Sequence, residues 1–159
     1  MNAVDAWNGT TYRRVLVIRD KPVLVAVTQR EKTLDVAVTA THIHPETKQT
    51  AIRSLERLLG IRENLSEFYE FSSQDPRLHE LVTRFRGFKP PRLLTNFEAL
   101  VNGITCQQLS LTVGIIFLNR LAERCGSAFQ PGVYAFPRPD DLAHLDPADL
   151  RPLGYSGSK

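Results

Sequence analysis

Two adjacent amides, Gln107 and Gln108, interrupt an otherwise apolar helical pattern in the stretch ITCQQLSL, Ile104 to Leu111. A glutamine side chain both donates and accepts hydrogen bonds. A pair of them at a helix–helix junction can therefore meet base edges in a nucleic-acid groove. The same residues also suit a plain polar helix C-terminus, with Ser110 capping the helix that follows. Both readings stand on pattern alone. Four other groups have the residue types for chemistry without the setting. His42 and His44 lie two apart at a strand end, a spacing that serves metals, but His79 and His144 fall in separate helical stretches and supply no third ligand. No metal or cofactor is expected, and the pair reads as polar residues at a strand–helix junction. Asp140, Asp141, Asp146 and Asp149 have the chemistry for paired acid–base work. Each sits at or near a helix start, where caps and dipole-favoured acids belong, so a structural role is expected. Cys106 has no histidine pattern to activate it and reads as a small buried thiol. The GYSGSK stretch lacks the longer glycine-rich pattern of a phosphate loop.

The elements that must position these residues come from a chain of 159 residues, 42% hydrophobic, with formal net charge +3. That length holds one ordinary domain or two small ones, and the composition supports a core. No apolar run approaches bilayer length, so no membrane partner is expected. No basic region precedes an apolar one at the start, so a signal peptide is not expected. Cys106 and Cys125 both fall in helical stretches, which suits a reduced, cytoplasmic setting rather than a disulfide framework. Arginine far outnumbers lysine and the pI is about 9.1. This is a mild pointer to phosphate partners.

Three apolar runs open the chain: RRVLVIRD (Arg13 to Asp20), KPVLVAVT (Lys21 to Thr28) and TLDVAVTA, where Leu34, Val36 and Val38 alternate onto one face. They predict an antiparallel meander with a corner at RDKP. The period then becomes helical. Pro45 suits a first helical residue and Gly60 a position just past the end, with Ile52, Leu55, Leu58 and Leu59 on one face. A short helix is predicted around NLSEFYEFS. Another follows Asp75 and Pro76, with a stripe of Leu78, Leu81, Val82 and Phe85. Gly87 ends it, and KPP at Lys89 to Pro91 breaks the chain's helical run. Thr95 to Glu98 has the form of a capping box, with Phe97, Leu100, Val101 and Ile104 as its apolar face. Ser110 starts the next helix, which runs to Gly126. FPRPDDLAHL and DPADLRPLG form two short helical units, the second capped by Asp146. The expected class is α+β: an antiparallel sheet with packed helices over residues 1–88, then an all-helical part over 89–159.

The order of these motifs resembles the helix-hairpin-helix superfamily of DNA glycosylases, in particular the type II 3-methyladenine DNA glycosylases. DPRLHELVTRFRGFKPPR, FEALVNGITCQQLSLTVGIIFLNRLAERCG and FPRPDDLAHLDPADLRPLGYSGSK carry the likeness, with a strand-rich leader ahead of them. It covers about residues 65–159 strongly and the leader weakly. Such enzymes hydrolyse the N-glycosidic bond of alkylated purines in double-stranded DNA. They flip the damaged nucleotide out and fill the gap from the minor groove. The resemblance implies that Gln107, Gln108, Leu109 and Ser110 form the wedge loop, with Gln108 at the wedge position. It also implies that the family's hairpin and catalytic aspartate lie beyond Lys159, so that no catalytic residue falls in this chain. LGYSGSK would match the start of the next family helix, with Ser156 as its cap. On that reading 89–159 is an incomplete glycosylase domain, a C-terminal half is a missing partner, and the completed protein is a monomer. In a bacterium it would be nucleoid-associated. The alternative is a catalytically inactive DNA-binding module or remnant. The physical counterpart is that helices from Phe97 to Gly126 present more apolar area than the short units after them can cover.

Overall fold

The computed structural model describes residues 3–90 and 92–157. The described chain divides into two compact units, Met1–Ile52 with Thr95–Lys159, and Arg53–Leu94.

The first unit is built on a four-stranded antiparallel sheet, Asp5–Trp7 (β1), Thr11–Ile18 (β2), Lys21–Arg30 (β3) and Thr33–Thr39 (β4), in sequential order. Three of the strands are the three apolar runs. β1 is an addition to them, because three residues carry too little alternation to be seen. The RDKP corner is a two-residue turn in which Arg19 and Asp20 both take positive φ, 53° and 59°. A type I′ hairpin requires that of both central residues. Arg19 pairs with Glu46, and Asp20 accepts from Arg138 Nη1 at 2.5 Å.

Side chains alternate along the strands, so one face collects Arg14, Leu16 and Ile18 with Val23, Val25 and Val27. All six are buried. Val36 and Val38 of β4 join that face by pairing with Val27 and Val25. β1 covers the edge of β2 only as far as Arg14. Past that point Ala135 bridges to Val15, and Tyr134 N donates to Ala3 O at 2.9 Å. The open edge is thus closed by chain from the far end of the sequence.

Pro45–Leu58 forms α1, as Pro45 and Gly60 predict, and Ala51, Leu55 and Leu58 are buried. After residue 94 come Asn96–Cys106 (α4) and Leu111–Cys125 (α5), then Ala128–Gln130 (β5) paired with Val133–Tyr134 (β6). Two four-residue helices follow, Pro139–Leu142 (α6) and Pro147–Leu150 (α7), with a 3-10 turn at Arg151–Leu153. The α+β class holds: a four-stranded antiparallel sheet followed by helices. The β5–β6 hairpin is an addition to the all-helical expectation for 89–159. Its strands are too short for period-two alternation to register in the sequence.

In the second unit, Ser66–Ser72 (α2) and Pro76–Arg84 (α3) form a helical pair. Asp75 caps α3, accepting from Arg77 N at 2.8 Å, with Pro76 next to it. The Tyr69 hydroxyl accepts from Gly87 N at 3.0 Å, and Arg86 lies over the Tyr69 ring. The expected apolar stripe of α3 forms, but no α3 residue is buried. With Phe68 and Phe88 it lines an open groove of about 410 Å³.

Candidate nucleic-acid interface

The Gln107–Ser110 loop is fixed from both ends by capping. Thr95 Oγ1 accepts from Glu98 N at 3.0 Å and starts α4. At the other end Gln107 leaves the helix with φ −59° and ψ 130°. Gln108 then turns left-handed at φ 58°, and Leu109 N donates to Cys106 O at 3.3 Å. Ser110 is extended, and its hydroxyl accepts from Val113 N at 3.4 Å to start α5. Gln107, Gln108 and Ser110 are exposed, while Leu109 is half-buried. A left-handed conformation costs a residue with a Cβ about 1–2 kcal/mol. Gln108 therefore sits at the tip of the turn in a conformation that glycine would hold more cheaply.

Behind the loop the two helices meet closely. A Cβ added to Gly114 would lie 2.6 Å from Cys106 Sγ, so the thiol is packed against bare α5 backbone. Cys106 is thereby a packing residue, as its sequence setting indicates. Thr105 is fully buried and shares a 3.0 Å hydrogen bond with the Tyr155 hydroxyl. The Tyr155 ring lies 5.8 Å from that of Phe117. Burial pushes the Tyr155 phenol above its usual pKa. Gly154, at φ 108°, lets the chain pass so near Phe117 that a Cβ would sit 2.4 Å from its ring.

The sheet holds the same hairpin through a buried charge network. Arg14 of β2 donates from Nη1 to both Asp5 oxygens, at 2.9 and 3.0 Å, and from Nη2 to Glu98 Oε1 at 2.5 Å. Side-chain exposure is 2% for Arg14 and 5% for Glu98. Burial opposes the Arg14 charge, but the Asp5 and Glu98 carboxylates outweigh it and raise its pKa. Tyr12 donates to Asp5, and burial foremost raises its phenol. On the other arm, Ala3 N donates to Asn119 Oδ1 of α5 at 2.9 Å. The sequence pattern marks Glu98 only as part of a cap. The available signal is Arg14 itself, an arginine on the inward register of Leu16 and Ile18.

The apolar face expected on α4 stays largely open. Leu100 is 64% exposed and Ile104 43%, with Leu111 of α5 at 72%. Val101, Ile104, Leu121, Leu145, Leu150 and Tyr155 line a shallow trough of about 180 Å³.

The remaining candidates stay apart from this loop. His42 and His44 are exposed and line a separate cleft with Arg19 and Lys21. Among the described residues no group of three metal-ligating side chains occurs. Asp141 accepts from Arg138 N at 2.8 Å, Asp146 from Ala148 N at 2.8 Å, and Asp149 from Asp146 N at 3.0 Å. These three acids are caps, and Asp140 lies in the first turn of α6. Partial burial acts to raise the Asp141 pKa, but the Arg138 N–H and guanidinium hold it below the usual range. Pro91 of KPP, and Ser158 and Lys159 of GYSGSK, lie outside the described residues. No described helix is long and apolar enough to cross a membrane.

No family model matches the chain. The DNA-3-methyladenine glycosylase of Bacillus subtilis (strain 168) is 24% identical over 115 residues, which is 70% of this chain and 38% of that protein. The 3-methyladenine DNA-glycosylase from Archaeoglobus fulgidus superposes with a TM-score of 0.80 at 25% identity, over 96% of this chain and 53% of that one. A Clostridium acetobutylicum 8-oxoguanine glycosylase/lyase, solved with dsDNA containing cytosine opposite 8-oxoG, shares the fold. Its TM-score is 0.71 at 19% identity, over 98% of this chain and 51% of that one. The chain thus spans about half the length of these solved structures, or less of the curated relative. By its sheet, its helix order and these similarities, the chain is related to the 3-methyladenine DNA glycosylases.

Proposed function

We propose that this chain is the DNA-gripping portion of a base-excision repair glycosylase that hydrolyses the N-glycosidic bond of alkylated purines in duplex DNA. The observation that carries the reading is the Gln107–Ser110 turn. It is exposed, it holds Gln108 left-handed at its tip, and it joins two helices braced from behind. It does so in a chain that superposes on an archaeal 3-methyladenine DNA-glycosylase. Left-handed residues outside the hairpin turns that require them cluster at ligand-binding sites.

In this reading the turn enters the minor groove and Gln108 fills the space left by the flipped nucleotide, with Gln107, Leu109 and Ser110 as its flanks. The base is cationic, an N3- or N7-alkylated purine whose charge already weakens the glycosidic bond. An aromatic pocket and one carboxylate then suffice, without a metal or organic cofactor. The resemblance puts that carboxylate outside this sequence. Residues 1–88 and 89–159 act as the sheet-based and the DNA-facing domains, in the cytoplasm on the nucleoid. The second reading, a module that grips DNA without cleaving it, draws on the same exposed turn.

Duplex binding across a salt series tests the shared core of both readings. Affinity is expected to fall with a log–log slope of about −0.9 per phosphate neutralised. Base-step opening is read by 2-aminopurine fluorescence, and Gln108→Ala is expected to lower that signal with the salt slope unchanged. Absence of binding at low salt overturns both readings.

A further inference from the structure

The four-stranded sheet is far from the wedge turn in sequence, yet it holds both helices that carry it. Arg14 on β2 grips Glu98 in the first turn of α4 at 2.5 Å, with both side chains buried. Ala3, just ahead of β1, grips Asn119 of α5 at 2.9 Å. One anchor therefore falls on each arm of the α4–turn–α5 hairpin. Within the hairpin, Gly114 against Cys106 and Thr105 with Tyr155 keep the arms together. The hairpin is thus one body, and both of these anchors are directional hydrogen bonds.

The choice of an ion pair for the α4 anchor calls for an explanation. Burying Arg14 and Glu98 removes two charges from water, and an apolar pair of similar volume is commonly as stable. An apolar contact, however, lets a helix slide or rotate over a sheet. Arg14 cannot: its Nη1 is fixed on both oxygens of Asp5, so its Nη2 points in one direction. That planar fork converts the strand position into a fixed position for the α4 N-terminus.

We infer that the sheet is the positioning platform of the wedge, and that Arg14 and Asn119 are positioning residues that fix where the Gln107–Ser110 turn is presented. The DNA side of this inference rests on the proposed wedge; the positioning side does not. The test variant is Arg14→Met with Glu98→Met, which roughly keeps volume and removes both of the most deeply buried charges, while the part-exposed Asp5 keeps the Tyr12 hydroxyl as a donor. Asn119→Ala is the second, milder variant.

Residual dipolar couplings of backbone amides in the whole chain report orientation without DNA. In the unsubstituted protein one alignment tensor is expected to fit the amides of β2 and β3 together with those of α4 and α5. In the double variant, at an unchanged unfolding midpoint, the hairpin is expected to need its own tensor. The 2-aminopurine signal at saturating protein should then fall at least fivefold, while the salt slope holds. Asn119→Ala is expected to show a smaller change of the same kind. A double variant that folds and still fits one unchanged tensor overturns the inference. If the double variant fails to fold, the Asn119→Ala tensor decides in the same way. Separate tensors in the variant, with no 2-aminopurine signal even from the unsubstituted chain, would uphold the platform and sink the wedge.

Discussion

Replacing Gln108 by glycine and by alanine isolates the strain in the candidate wedge. Both changes remove the same exposed side chain, so its lost contacts cancel in the comparison. At φ 58° alanine keeps the left-handed penalty of about 1–2 kcal/mol. Glycine escapes it but adds about 0.4–1 kcal/mol of unfolded-chain entropy. The glycine variant should therefore be the more stable by roughly 1 kcal/mol. In a chain of this length that is a difference of about 2–4 °C in unfolding midpoint. Gln107 supplies the control, because its φ of −59° suits any residue. There alanine should exceed glycine by about 0.4–1 kcal/mol. The ranking thus inverts between two adjacent glutamines, and urea titration of the four variants measures it. If alanine exceeds glycine at both positions, Gln108 is not held left-handed, and the case for a prestrained turn falls. If the ranking inverts and Gln108→Gly still opens duplex base steps like the original, the strain is real but the side chain is not the wedge.

Other regions carry their own expectations. Gly154→Ala should cost about 2–6 kcal/mol in urea unfolding, from strain at φ 108° and a Cβ 2.4 Å from the Phe117 ring. A loss below about 1 kcal/mol would mean that neither the φ of 108° nor the close Phe117 contact holds in solution. Tyr12 and Tyr155 hold their protons more tightly when folded than the usual pKa of 10.0. Stability should be fully present below that pH and decline as pH rises above it, as unfolding curves taken across that range would record. A stability that stays flat or increases there contradicts the burial of both phenols. Finally, no α3 residue is buried, so Leu81→Ser with Phe88→Ser should lower binding of a hydrophobic dye. The change in stability should stay within about 0.5 kcal/mol. A larger loss would show that the groove is closed in solution.

Much of the scaffold is legible in local sequence signals. Strand alternation in KPVLVAVT, the caps at Asp75, Thr95, Ser110 and Asp146, and Pro45 with Gly60 each depend on a few neighbouring residues. They place three of the sheet's strands and the helices from α1 to α7. What escapes is short or non-local. β1, β5 and β6 hold too few residues to show a period. Two segments that pair across the whole chain, Val15 and Ala135, give no sign of it in either stretch. The Gln107–Gln108 pair is visible as an interruption of an apolar pattern, but its left-handed turn is not. Glycine or asparagine would announce such a φ, and glutamine does not.

Helix and strand periods, the capping and the exposed amides are set locally, because backbone propensity and side-chain periodicity act over a turn or two. Which of those elements touch is a matter of long-range packing. It brought Arg14 to Glu98 across a separation of 84 residues and stripped both of water. It pressed Gly114 onto Cys106 and Gly154 onto Phe117. It also left Leu100 and Ile104 open, as the surplus apolar area of their helices implies, and the α3 stripe with them. Burial is a property of what lies opposite a residue, and neither that neighbour nor the dielectric it creates is written in the residue's own stretch of chain.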